Sequence, residues 1–141
     1  MTARVLLCAA LAAFGAGCGD EDPATAPTDT EQVFTSVTYT GTLEAGAARF
    51  YSFTNNASGS VTAFLASVTS VESKQPVAMP LEIGIGIPAG TGCPTTTTQL
   101  VTPGLVTQLS ASLEAGVYCV RVADAGEITG PITFAVRFVH P

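Results

Sequence analysis

Hydrophobic and polar residues alternate one by one along most of the chain after residue 32, the period of a half-buried β-strand. In SVTYTGTL, Val37, Tyr39 and Leu43 alternate with Thr38, Thr40 and Thr42. EAG turns the chain into ARFYSFT, where Tyr51 and Phe53 share a face. NNASG is the next turn, and SVTAFLASV sets Val61, Ala63 and Leu65 on one side. PLEIGIGIP places Leu81, Ile83, Ile85 and Ile87 on one face and Glu82, Gly84 and Gly86 on the other. Glycines inside a strand cost conformational entropy and point to a bulge or to close approach of another backbone. GTGCPTTTT reads as loop, with Thr95 to Thr98 either a solvated stretch or a hydroxyl ladder for a glycan. LVTQLSASL and VYCVRVA flank a second EAG, and ITFAVRFVH ends the chain. Alternation in VYCVRVA turns Tyr118, Val120 and Val122 inward and Cys119 and Arg121 outward. No segment carries a convincing helical period. Roughly seven to eight short strands in about 109 residues predict an all-β fold, an antiparallel two-sheet β-sandwich, because two inner faces need this many strands to cover each other.

The beginning of the chain follows another pattern. Residues 1–4 hold one positive charge, Arg4, and the next 13 or so, VLLCAALAAFGAG, hold none. Such a stretch is shorter than the roughly 20 residues that span a bilayer and fits the apolar region of a secretory signal. Gly15, Ala16 and Gly17 then precede Cys18, which resembles a lipobox, although Gly15 stands where a leucine is usual. The resemblance implies a bacterial lipoprotein: a signal peptide over residues 1–17, lipidation at Cys18, and attachment to a membrane through the lipid anchor alone. An ordinary secretory signal cut near Gly17 accounts for the same residues without the lipid. GDEDPATAPTDTEQ has no aliphatic side chain larger than alanine, so residues 18–32 are expected to form a disordered acidic linker. Its acids read as a solvated tail rather than a metal site. Gly19, not aspartate, follows Cys18, and by family analogy this favours the outer membrane or cell surface over the inner membrane. The folded domain is expected over residues 33–141.

Composition narrows the function. The 141 residues carry a net charge of −6, and only 11% are charged, against about 25% in an average domain. Arg49, Lys74, Arg121 and Arg137 are scattered singly outside the signal, which excludes a nucleic-acid partner, since a phosphate backbone requires clustered cations. Of the 4 cysteines, Cys8 leaves with the signal and Cys18 takes the lipid, so Cys93 and Cys119 remain in an oxidising compartment and are expected to form a disulfide. The single histidine, His140, sits next to the C-terminus and offers no partner for a nucleophile or a zinc site. The acids Glu44, Glu72, Glu82, Glu114, Asp124 and Glu127 mostly fall in turns, unlike a paired-carboxylate centre. No phosphate loop or dinucleotide fingerprint is present, so no cofactor is expected and the chain reads as non-enzymatic, an unrecognised hydrolase being the outlying alternative.

GTLEAGAARFYSFTNNASGSVTAFL, then PLEIGIGI, then SLEAGVYCVRVADAG with GPITFAVRF, resembles the bacterial pre-peptidase C-terminal domain. The likeness rests on Gly41 and Leu43, on Tyr51 and Phe53, and on Ala115, Gly116, Tyr118, Val120 and Val122, and covers about residues 36–139. It implies a jelly-roll-like sandwich, usually a non-catalytic appendage of exported enzymes, some relatives of which bind calcium, collagen or polysaccharide. Ala48 and Arg49 replace the aspartate often found before the aromatic strand, and no acidic cluster offers the six to eight oxygens calcium takes; Asp124 and Glu127 are the candidates that remain. Two functions follow as expectations. One is a binding or structural module for a glycan, matrix polymer or protein partner. The other is an accessory subunit of a secreted enzyme or envelope complex. With no Trp in the chain, the glycan reading depends on exposure among Tyr39, Phe50, Phe64 and Phe134.

Overall fold

The computed structural model describes residues Glu31–Pro141, and its compact unit runs Gln32–Pro141. The signal peptide, Cys18 and all but the last two residues of the linker lie outside the described residues. Eight strands follow one another: β1 (Thr35–Leu43), β2 (Ala48–Asn55), β3 (Gly59–Ser70), β4 (Leu81–Gly86), β5 (Thr95–Val101), β6 (Leu109–Leu113), β7 (Gly116–Asp124) and β8 (Ile132–His140). They form two antiparallel four-stranded sheets, β1-β8-β3-β6 and β2-β7-β4-β5. Only β4 and β5 are consecutive neighbours within a sheet; every other connection crosses from one sheet to the other. This is the connectivity of a jelly roll.

Alternation decides which side chains fill the space between the sheets. Leu43, Val61, Leu65, Leu81, Ile83, Val120, Val122, Val136 and Phe138 are fully buried. Each fully buried side chain of this kind contributes roughly 1.5–3 kcal/mol relative to exposure. β3 keeps its apolar positions inside by a bulge between Leu65 and Ser67, which shifts the phase and brings Val68 into the core. Phe53 meets the edge of Phe138 at 4.4 Å between ring centroids, and Tyr39 stacks on Tyr51 at 4.7 Å. These rings require Gly41: a Cβ there would stand 2.5 Å from the Tyr51 hydroxyl and 3.0 Å from the Phe134 ring. The Tyr51 hydroxyl donates to the Thr40 carbonyl at 2.8 Å, and Arg49 Nε donates to the Thr42 carbonyl at 3.2 Å. Side chains of β2 thus occupy carbonyls of the neighbouring edge strand β1.

The pattern misled at two places. Thr95 to Thr98, expected as loop, open strand β5, and the connection lies instead at Thr102–Gln108. Four threonines carry no hydrophobic alternation, yet β-branched side chains suit the pleat and β4 supplies a ladder. Of LVTQLSASL, expected as one strand, only Leu109–Leu113 form β6, and Leu105 to Gln108 belong to this connection, which Pro103 and Gly104 open. Ile87, expected on the inner face with Ile85, follows the last residue of β4 and is 57% exposed.

Candidate functional site

The face of β2-β7-β4-β5 turned away from the core brings aromatic, cationic, anionic, hydroxyl and sulfur side chains together. In register across it run Phe50, Arg121, Gly84 and Thr98; beside that row lie Ala48, Ala123, Glu82 and Leu100. On the other side lie Ser52, Cys119, Gly86 and Thr95. As expected from alternation, Val120 and Val122 face the core and Tyr118 packs against it, while Cys119 and Arg121 take the outer face.

Cys119 is nevertheless fully buried, because the segment from Ile87 to Pro94 folds back over it. Cys93 and Cys119 stand at disulfide distance, with Cα atoms 6.0 Å apart. The two glycines of β4 have separate reasons. At Gly86 the Pro94 carbonyl occupies the place of a Cβ, so the folded-back segment rests on bare backbone. The ladder with β5 also shifts register there. At Gly84 a Cβ would stand 2.5 Å from the Thr95 methyl and 3.0 Å from the Thr98 methyl, so this buried glycine makes room for the threonine side chains of β5, which cover it.

On this outer face stand three groups able to hold a polar ligand. Phe50 is 41% exposed, the second most exposed of the described aromatic residues after Phe34. Arg121 Nη1 donates to Glu82 Oε1 at 2.6 Å, and the pair is about a third exposed on both sides (34% and 39%). Ion pairs this exposed add only about 0–1 kcal/mol to stability, so the pair's contribution lies more in fixed donors and acceptors than in holding the fold. Of the aromatics that bear on glycan binding, Phe134 is buried, Tyr39 and Phe64 are partly buried, and Phe50 alone is well exposed.

The calcium candidates separate. Asp124 Oδ2 accepts from the Gly46 N–H at 2.8 Å, and Oδ1 accepts from the N–H groups of Gly126, Glu127 and Ile128 at 2.8, 3.0 and 3.1 Å. Four backbone donors direct positive charge at the carboxylate, the reverse of what a cation needs, and Glu127 points its own side chain into solvent. Asp124 therefore ties the turn after β7 to the first LEAG turn, where Gly46 adopts φ 70°. The second LEAG turn, at the opposite end, is held by Asn55 Nδ2 donating to the Glu114 carbonyl at 3.0 Å and by Ser58 donating to the Glu114 carboxylate at 2.5 Å. Among the described residues no three His, Cys, Asp or Glu side chains gather as a metal site.

Hydrogen bonds from Gly46 first, then from Ile128, Gly126 and Glu127, hold the Asp124 carboxyl below its ordinary value of 3.8 against the opposing effect of desolvation. A depressed folded value means a contribution present above the unfolded value and lost as pH falls through the folded one. Asp124→Asn is expected to lower the melting temperature at about pH 7, and by progressively less as pH falls toward about 2 and the wild-type carboxyl takes up its proton. Equal losses at both pH values in thermal melts would contradict this role.

Two further hollows are plainer. One of about 280 Å³ lies between the β3–β4 and β7–β8 connections over Val77, Met79 and Ile132; another of about 410 Å³ lies on the other sheet among Thr40, Thr42, Ser67 and Thr133. Neither joins an exposed aromatic ring to a charged pair. His140 is buried, its ring 5.1 Å from that of Phe53, and belongs to the core. No family model matches the chain, and no curated protein matches it.

Proposed function

We propose that this chain is a lipid-anchored envelope protein whose β-sandwich is a non-catalytic binding module for a neutral glycan, held on the outer face of β2-β7-β4-β5. The observation that carries the reading is the row Phe50–Arg121–Gly84, with Glu82 bonded to Arg121. Sugars present apolar C–H faces ringed by hydroxyls. An exposed aromatic ring stacks on such a face, and a fixed donor–acceptor pair bonds the hydroxyls. The charges of Arg121 and Glu82 balance, which suits a neutral ligand. The resemblance to the pre-peptidase C-terminal domain supports the same class of function. Its hallmark residues have physical work here, Gly41 making room for Tyr51.

The anchoring half of the proposal is tested by mass spectrometry of the mature N-terminus and by fractionation. Cys18→Ser is expected to move the protein from the membrane fraction to the soluble one with an unchanged β-type circular dichroism spectrum. A mature N-terminus elsewhere than Cys18, without acyl chains, sinks it. The binding half is tested by retention on insoluble polysaccharides. Phe50→Ala is expected to weaken retention about tenfold, the equivalent of roughly 1.4 kcal/mol, at unchanged melting temperature. Equal retention of wild type and Phe50→Ala removes the stacking role.

The accessory-subunit reading has one observation of its own. β5 is an edge strand of sequence TTTTQLV with no charge or proline, and Leu100 within it is 56% exposed. Such an edge can accept a strand from a protein partner.

A further inference from the structure

Exposed apolar side chains are not spread evenly over the domain. Val33 is 77% exposed, Phe34 52%, Ile87 57% and Val117 58%. All four lie at one end of the sandwich. There β1 begins opposite His140, β4 ends opposite Cys119, and β7 begins opposite Asn55. The chain enters at this same end: Gln32 Nε2 donates to the Ser58 carbonyl at 2.9 Å, and Asn56 N–H donates to the Pro141 carbonyl at 3.1 Å. The charged groups nearest this end are Glu31 at the chain entry, Glu114, bonded by Ser58, and Arg137 of β8, which donates to Ser36 Oγ at 2.8 Å. Leu105 and Val106, 82% and 72% exposed, sit in the β5–β6 connection, which leaves β5 from the opposite end of the strand.

We infer that Val33, Phe34, Ile87 and Val117 form a rim that rests on the surface of the bilayer to which the chain is anchored. The inference builds on the lipid-anchor reading and adds an orientation to it. The linker of residues 18–32 reaches at most about 50 Å when extended, so an anchor at Cys18 keeps the entry end of the domain near the lipid. Confinement of this kind raises the effective concentration to the millimolar range, where even a weak interfacial contact is occupied. A water-exposed ring and three aliphatic side chains gain by entering the headgroup boundary, as on the apolar face of an interfacial helix. With two acids and a single cation near it, and no cluster of Lys or Arg to hold anionic headgroups, the rim suits a zwitterionic surface. Docked this way, the domain stands on its end. The Phe50–Arg121 face is then upright and open to polymer alongside the membrane.

The chain has no Trp, so one introduced residue reports its own depth. Phe34→Trp and Leu105→Trp are made in the mature chain from Cys18, which is attached to phosphatidylcholine vesicles by coupling its Cys18 thiol to a maleimide lipid. Attachment is thereby independent of natural acylation; failure of that acylation appears in the N-terminal mass and leaves this experiment standing. Phe34→Trp is expected to shift to the blue and to lose at least about half its emission to brominated acyl chains, with Leu105→Trp unchanged. Adding Ile87→Ser and Val117→Ser to Phe34→Trp is expected to reduce the quenching. An unshifted, unquenched Phe34→Trp on vesicles that carry the protein overturns the inference, and so does equal quenching of Leu105→Trp.

Discussion

Reduction of the Cys93–Cys119 pair is expected to lower the melting temperature by more than about 10 °C. The pair closes a loop of 26 residues in sequence, which in the chain-entropy description is worth about 3–4 kcal/mol, and measured cases run about 2–4. For a domain of this size each kcal/mol moves the melting point by roughly 4–8 °C. The native state loses more than a cross-link. The isolated bridge of Ala89 with Gly92 lies within the segment from Ile87 to Pro94, and besides the sulfur bond it is the Pro94 carbonyl that rests on the sheet, at Gly86. Without the sulfur bond little else keeps that segment down. A Cys93→Ala/Cys119→Ala variant is expected to melt with the reduced protein. With Cys8 and Cys18 replaced by serine, the oxidised protein is expected to show no titratable thiol; two thiols in that protein contradict the pairing outright.

Gly86→Ala is expected to destabilise the oxidised protein by about 2–3 kcal/mol. Alanine is intrinsically better than glycine inside a strand by about 0.5–1 kcal/mol, so a net loss isolates the clash with the Pro94 carbonyl. A backbone carbonyl cannot rotate aside as a side chain does. Gly84→Ala, whose Cβ would press on the Thr95 and Thr98 side chains rather than on backbone, is expected to cost about 1 kcal/mol, less than Gly86→Ala. The decisive comparison is the cycle with reduction. Once the segment from Ile87 to Pro94 is free to lift, Gly86→Ala should cost about 1 kcal/mol or less, a coupling of about 1–2 kcal/mol. Equal costs in oxidised and reduced protein place the clash elsewhere.

The two-sheet architecture was legible because its inner faces obey period two with few exceptions. Val120 with Val122, and Leu81 with Ile83 and Ile85, are each set on one face by alternation alone and lie in the core. β5 was not legible, since Thr95 to Thr98 show neither alternation nor an apolar face; their strand exists because β4 pairs with them. The bulge at Leu65/Ser67 was equally hidden, as one extra residue leaves no mark until Val68 is seen buried. The glycines of β4 announced a close approach, and at Gly86 the approaching backbone is that of Pro94. Asp124 stood out as an acid in a turn, but its partner Gly46 lies 78 residues away, a distance no local pattern bridges. The same holds for the candidate site. Phe50, Arg121 and Glu82 are unremarkable singly, and only strand register sets them in adjoining rows.

The glycan-binding face is tested most directly by nitrogen–proton correlation NMR of the domain during titration with neutral oligosaccharides of the cello-, malto-, xylo- and chito- series. The expected result is millimolar or tighter binding of at least one series, with shifts concentrated at Phe50, Glu82, Gly84, Thr98 and Arg121 and weakened by Phe50→Ala. Shifts clustered on the opposite sheet among Thr40, Thr42 and Thr133, or no shift with any series, would contradict the account.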